Sequence, residues 1–83
     1  MNTWNIRVLV TEEEVIGGDN ELDFALHEVH YTDGRPLGST KNPIRVSGES
    51  LEALQWYVDK MQEALNKPIL WGDKRFPQEF KKE

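Results

Sequence analysis

The sequence predicts a small α+β domain: an antiparallel sheet of three strands, or four, with one amphipathic helix across one face. Three observations predict it. Apolar residues alternate at period two over Trp4–Thr11 and again from Leu22. Asp33-Gly34 is a tight-turn signal that joins the second strand to a third. Between Leu51 and Leu65 the apolar spacing changes to three and four, the helical period.

In the first strand, Trp4, Ile6, Val8 and Val10 face one way and Asn5, Arg7, Leu9 and Thr11 the other. Glu12-Glu13-Glu14 and Gly17-Gly18-Asp19-Asn20 then break the pattern, which marks the long tip of a hairpin. The second strand, Leu22 to Thr32, begins with Leu22, Phe24 and Leu26, but its apolar parity changes to Val29 and Tyr31. That change predicts a β-bulge or twist near His27-Glu28. After the turn at Thr32-Asp33-Gly34-Arg35-Pro36, the returning strand is weak, running from Leu37 to Thr40 and, past Pro43, over Ile44-Arg45-Val46. Proline inside a strand pattern places this segment at a sheet edge, in two short pieces.

Ser47-Gly48-Glu49-Ser50 ends the sheet. Ser50 is placed to cap the helix, Glu52 complements its positive end, and Pro68 stops it near Asn66. Ile69-Leu70-Trp71 returns to the sheet or caps the core. One domain thus covers residues 1–71. The tail, residues 72–83, carries Phe76 and Phe80 at helical spacing, so it is either a docked terminal turn or disordered.

The helix draws a narrow stripe of Leu51, Leu54, Val58, Met61 and Leu65. Trp56 projects nearly opposite, among Glu52, Asp59, Lys60 and Glu63, where an indole gains nothing unless something outside the helix covers it. Ile69, Trp71 or Phe76 folded back would be one cover, and a partner protein another. A single helix also leaves the second sheet face bare, with Leu9, Val29 and Tyr31 on it. Either the C-terminal segment or a second subunit must cover that face. Trp56, Leu9, Val29 and Tyr31 are therefore the candidate partner-binding residues, while Trp4 and Trp71 read as structural.

Composition narrows the function. A chain of 83 residues has a thin core, burying only about 60–65% of its unfolded surface. It has no cysteine, which removes disulfides, thiolate zinc sites and thiol catalysis. Fifteen acidic against ten basic residues give a net charge of −5, which disfavours nucleic acid, although Lys74, Arg75, Lys81 and Lys82 gather near the C-terminus, diluted by Glu79 and Glu83. No apolar run approaches the roughly 18 residues of a membrane span, and Met1-Asn2-Thr3-Trp4-Asn5 is no secretory signal, so a cytoplasmic location is expected.

The densest ionisable group is His27-Glu28-x-His30. A metalloprotease pair needs its histidines four apart on a helix, whereas three apart on a strand means opposite faces unless a bulge intervenes. The expectation is a half-exposed strand with Glu28 paired to Arg7 or Arg45. Asp19, Asn20, Glu21 and Asp23 lack the twelve-residue frame of a calcium loop, and Gly17-Gly18 lacks the offsets of a phosphate cradle. Ser39, Ser47 and Ser50 lack any nucleophile motif. No catalytic residue, metal or cofactor is expected.

Trp4-Asn5-x-Arg7-Val8, His27-Glu28-Val29-x-Tyr31 leading to Asp33-Gly34, Pro43, Gly48-Glu49-Ser50-Leu51-Glu52 and Ala64-Leu65-x-Lys67-Pro68-Ile69-Leu70 appear in that order. The set resembles a group of small uncharacterised bacterial proteins over residues 4–70, departing in the longer acidic first loop and the tail beyond Leu70. That resemblance implies no activity. More loosely, the chain is similar to HicB-type antitoxins, whose β-β-β-α half domain enters its helix through a Gly-acidic-Ser/Thr-Leu-Glu segment like Gly48–Glu52. Those proteins oligomerise and cover a small toxin, and usually add a DNA-binding segment, for which this chain has no obvious room.

The resulting expectation is a non-enzymatic protein–protein interaction module acting as a homodimer. An antitoxin-like or inhibitory binder of a small basic protein, and a small ligand-binding or catalytic protein centred on His27, Glu28 and His30, are the alternatives.

Overall fold

A computed structural model describes residues 1–81. The elements are β1 (Asn2–Glu13), β2 (Glu21–Thr32), β3 (Arg35–Ser39), α1 (Leu51–Ala64) and β4 (Leu70–Trp71), and the sheet order is β3-β2-β1-β4. The β-β-β-α-β architecture follows the sequence pattern. The fourth strand does return to the sheet, but it runs parallel to β1, with Leu9 beside Leu70 and Val10 beside Trp71, so the sheet is mixed.

β1 and β2 pair without interruption from Asn2 opposite Thr32 to Glu13 opposite Glu21. No bulge interrupts this pairing at His27-Glu28. The irregularity lies in the β2–β3 pairing instead: Tyr31 faces Pro36 while His30 faces Gly38, leaving Leu37 as the extra residue. The parity change along β2 has another cause. Its outer half packs Leu26 against the α1 side of the sheet, and its inner half packs Val29 against the opposite side. Both faces of the sheet are buried, each over a different stretch of one regular strand.

Asp33 (φ 50) and Gly34 (φ 81) are both left-handed, as a two-residue hairpin turn requires, and glycine takes that conformation without strain. Beyond β3 the edge continues in single bonds, Thr40 N–H to Glu28 C=O at 3.0 Å and Ile44 N–H to Leu26 C=O at 2.9 Å, on either side of Pro43. Ser50 caps α1, its Oγ accepting from the Ala53 N–H at 3.1 Å. Gly48 lies so close to the helix that a Cβ there would stand 2.6 Å from the Leu54 nitrogen.

The helix packs with a different face from the one the spacing predicts. Met61 and Ala64 are buried against Ile6, with Leu26, Ile44 and Tyr57 around them. Leu51 and Leu65, by contrast, are 84% and 69% exposed. The buried face is rotated by roughly 80° from the Leu/Val stripe at 100° per residue. Leu51 and Leu65 lie at the two ends of the helix, whereas Tyr57 and Ala64, which the stripe omits, face the strand.

The second sheet face is covered by the chain itself. Leu9, Val29 and Leu70 form a buried cluster against which Tyr31 and Phe76 pack. The cover is a pair of overlapping turns docked on the sheet. The Phe76 N–H bonds to the Asp73 carbonyl at 2.9 Å and the Gln78 N–H to the Arg75 carbonyl at 2.8 Å, around a cis Phe76–Pro77 bond. The chain then pairs with β4 through Trp71 N–H to Gln78 C=O at 2.8 Å and Phe80 N–H to Ile69 C=O at 2.7 Å. Phe80 sits edge-on to Trp71 and Phe24, and the Arg75 guanidinium lies 3.3 Å above the Trp71 ring. Trp71 is thus structural. Lys82 and Glu83, part of the charged end, lie outside the described residues.

Candidate functional site

Leu9 and Val29, expected on an uncovered face, are 2% and 0% exposed, so neither can meet a partner. Tyr31 is half-buried and accepts a hydrogen bond at 2.9 Å from Arg7, whose other terminal nitrogen donates to the Pro68 carbonyl at 2.6 Å. Arg7 thereby ties β1 to the connection ahead of β4, and it does not pair with Glu28. Among the described residues, Glu28 makes no ion pair with Arg45 either.

The His27, Glu28 and His30 side chains do not converge. Glu28 and His30 lie opposite Ile6 and Trp4 on the α1 face. His27 points to the other face, buried, with Nδ1 donating to the Thr40 carbonyl at 2.9 Å. Because a carbonyl only accepts, this bond sets Nδ1 as the protonated nitrogen. Among the described residues no three His, Cys, Asp or Glu side chains are grouped to hold a metal ion. In the acidic loop, the Asn20 amide donates to Glu12 at 3.2 Å, a contact that steadies the hairpin.

Trp56 is the expected residue that does reach a surface, although by a different route. The helix rotation brings it from the far side to the flank of α1. It is 45% exposed and meets Trp4, not the C-terminal segment, at a centroid distance of 6.1 Å and 61°. Trp4 is itself 44% exposed, not core. Tyr57 stands edge-on to Trp56 at 5.1 Å, and the Lys60 ammonium lies 5.5 Å from the Trp56 ring centre. The two indoles open onto a cleft of about 300 Å³ floored by Asn5 and Ile6 and rimmed by Lys60, Glu63 and Lys67.

This cleft runs beside the outer edge of β1. Pairing on that side of the strand is confined to Leu9 and Val10, and the Gly72 N–H donates to the Val10 carbonyl at 2.8 Å. Even-numbered residues of β1 therefore direct their backbone groups outward. Trp4 offers its own with no strand alongside, whereas Ile6, 2% exposed, is shielded. Sequence reasoning missed Trp4, Lys60 and Lys67 as parts of one site; the readable signal was that Trp4 lies near the start of the strand, ahead of the stretch a short helix covers.

Two further hollows stand out among the described residues. One of about 550 Å³ lies between Leu22 and Phe24 of the hairpin and Pro68, Ile69 and Phe80. The other, about 790 Å³ and open, lies between α1 and the segment leading into it, with Glu28, Arg45, Glu49 and Tyr57 on its walls. No helix among the described residues is long and apolar enough to cross a membrane. No protein-family model, curated protein or solved structure matches this chain.

Proposed function

We propose that the protein is a non-enzymatic protein-interaction module that engages its partner through the Trp4–Trp56 cleft and the adjoining edge of β1. The observation that carries the reading is the pair of indoles, in contact with each other yet each close to half exposed. Tryptophan buries a large area with few rotamers to freeze, and it is enriched at the centres of interfaces. Beside it, the outward backbone groups of the exposed Trp4 supply directional hydrogen bonds, as when an extended segment adds to a sheet.

The test is retention of a cellular partner by immobilised wild-type chain, compared with Trp4→Ala and Trp56→Ala variants whose melting curves show them folded. The reading expects retention by wild type and loss with either variant. Equal retention by all three places the binding surface elsewhere and overturns it.

A further inference from the structure

The hollow between α1 and the segment that leads into it differs from the Trp4–Trp56 cleft in the charge on its walls. At about 790 Å³ it falls within the roughly 300–1,000 Å³ of small-molecule sites. Glu28 and Glu49 border it together with Arg45, and Ile44, Ala53 and Tyr57 supply apolar surface among them. Among the described residues, none of the three charged side chains takes part in an ion pair. Two carboxylates and one guanidinium thus border a single hollow without neutralising each other.

Backbone contacts, not these charges, hold the walls. The Glu28 carbonyl accepts from the Thr40 N–H at 3.0 Å, and the Glu28 N–H donates to the Thr40 Oγ1 at 3.3 Å, which fixes this stretch of β2 against the opposite segment. The Ile44 N–H is tied to the Leu26 carbonyl at 2.9 Å, one residue ahead of Arg45. Gly48 rests on the backbone of Leu54 and Ser50 caps the helix, so Glu49 is carried between two anchored neighbours. A site whose walls are set before binding loses little by ordering them.

We infer that this hollow binds a free basic amino acid of the arginine type, whose two cationic groups and one carboxylate complement walls of two carboxylates and one cation. Charge decides the class. An inorganic anion would meet two carboxylates for one guanidinium, and a simple cation would leave Arg45 unmatched. The ligand carboxylate pairs with Arg45, whose planar fork fits it with two parallel bonds. The half-buried Glu28 takes the ligand guanidinium beside the Tyr57 ring, an aromatic surface that favours a planar cation. Glu49, at the exposed end, takes the α-ammonium. This binding goes beyond the interaction role, for the two hollows share no lining residue.

Titration of the full chain with L-arginine, followed by amide NMR and by calorimetry, tests this. Saturable shifts should centre on Glu28, Arg45, Glu49 and Tyr57 and leave Trp4 and Lys67 unmoved. Agmatine, which lacks the carboxylate, should bind wild type about tenfold more weakly than L-arginine, the loss of one charge-assisted pair. In Arg45→Gln, L-arginine should bind no better than agmatine, while agmatine binds no worse than it does to wild type. Glu28→Gln should weaken both ligands by about tenfold. Melting curves equal to wild type show both variants folded. N-acetyl-L-arginine presents the side chain and carboxylate of a peptide terminus, and it should bind more weakly than the free amino acid. No saturation at millimolar L-arginine, shifts centred elsewhere, or equal affinity for L-arginine and agmatine overturns the inference. Tighter binding of the N-acetyl form overturns the free amino acid as ligand and puts a peptide terminus in its place.

Discussion

At the scale of single residues, the position of Trp56 shows how a helix face is chosen. The spacing of leucine and valine in α1 is legible, and so is the anomaly of an indole outside that spacing. The rotation that sets Trp56 against Trp4 is not legible, because Ile6 and Leu26 determine it from the sheet side. The faces are distinguished by truncation. Met61→Ala should cost about 2–5 kcal/mol, since it empties a buried site. Trp56→Ala should cost about 1–2 kcal/mol, having lost half-buried area and one aromatic contact. Urea unfolding of the two variants measures both, and the reverse order would show the helix face to be misassigned.

Asp73 is the residue whose ionisation is most displaced. Its hydrogen bond to the Arg75 side chain, aided by the Arg75 backbone N–H and charge, holds its pKa at about 2 against burial, which works the other way. Arg75 also reaches Glu12 of β1 at 3.2 Å, so this pair pins the C-terminal turn to the hairpin. A depressed carboxyl pKa stabilises the fold above the ordinary value of 3.8, and the contribution disappears as pH falls toward 2. Asp73→Asn should therefore melt a few degrees below wild type at neutral pH, the gap narrowing as the pH falls through the folded-state value and closing below it. The pair is partly exposed, which keeps the effect small. Calorimetry across that acid range checks it, and a constant offset at every pH would contradict the assignment.

At the scale of elements, local chemistry was readable and its purpose was not. Asp33-Gly34 specifies its turn, Ser50 its cap, and Pro43 the break in the edge. Gly48 reads in sequence as part of a helix entry, yet its role is contact: the backbone of Leu54 occupies the space a side chain would need. Gly48→Ala should lower stability by about 1–3 kcal/mol, the range for overfilling a packed site. Ser50→Ala, which removes one capping bond, should cost about 1 kcal/mol. Chemical denaturation of the pair resolves the two effects. The parity change in β2 misled for a physical reason. Period two identifies a face only where one face is buried, and the middle of β2 packs Leu26 on one face and Val29 on the other.

At the scale of the whole molecule, the thin core expected of a short chain is split into two clusters, one on each side of the sheet. The order of strands and the helix were accessible from pattern. That the C-terminal segment could cover the second face was legible as one of two options; which of them holds was not, because the segment gains its structure by pairing with β4. The cleft escaped the sequence for a similar reason. It is made by Trp4 and Trp56, which meet only when β1 and α1 are packed.

The parallel pairing of β4 with β1 has a kinetic consequence. Leu9 and Leu70 are neighbours in the sheet but separated by most of the chain, so their contact closes a long loop, and contacts of that kind form late. The hairpin, stitched by a two-residue turn on one side and local pairing on the other, is the natural seed. The margin made by β4 and the segment of Gln78 and Phe80 bonded to it should open first under native conditions. Amide hydrogens of Trp71, Gly72 and Phe80 should exchange with deuterium ahead of those bonded between β1 and β2, and uniform protection across the sheet would show that the margin and the seed open as one.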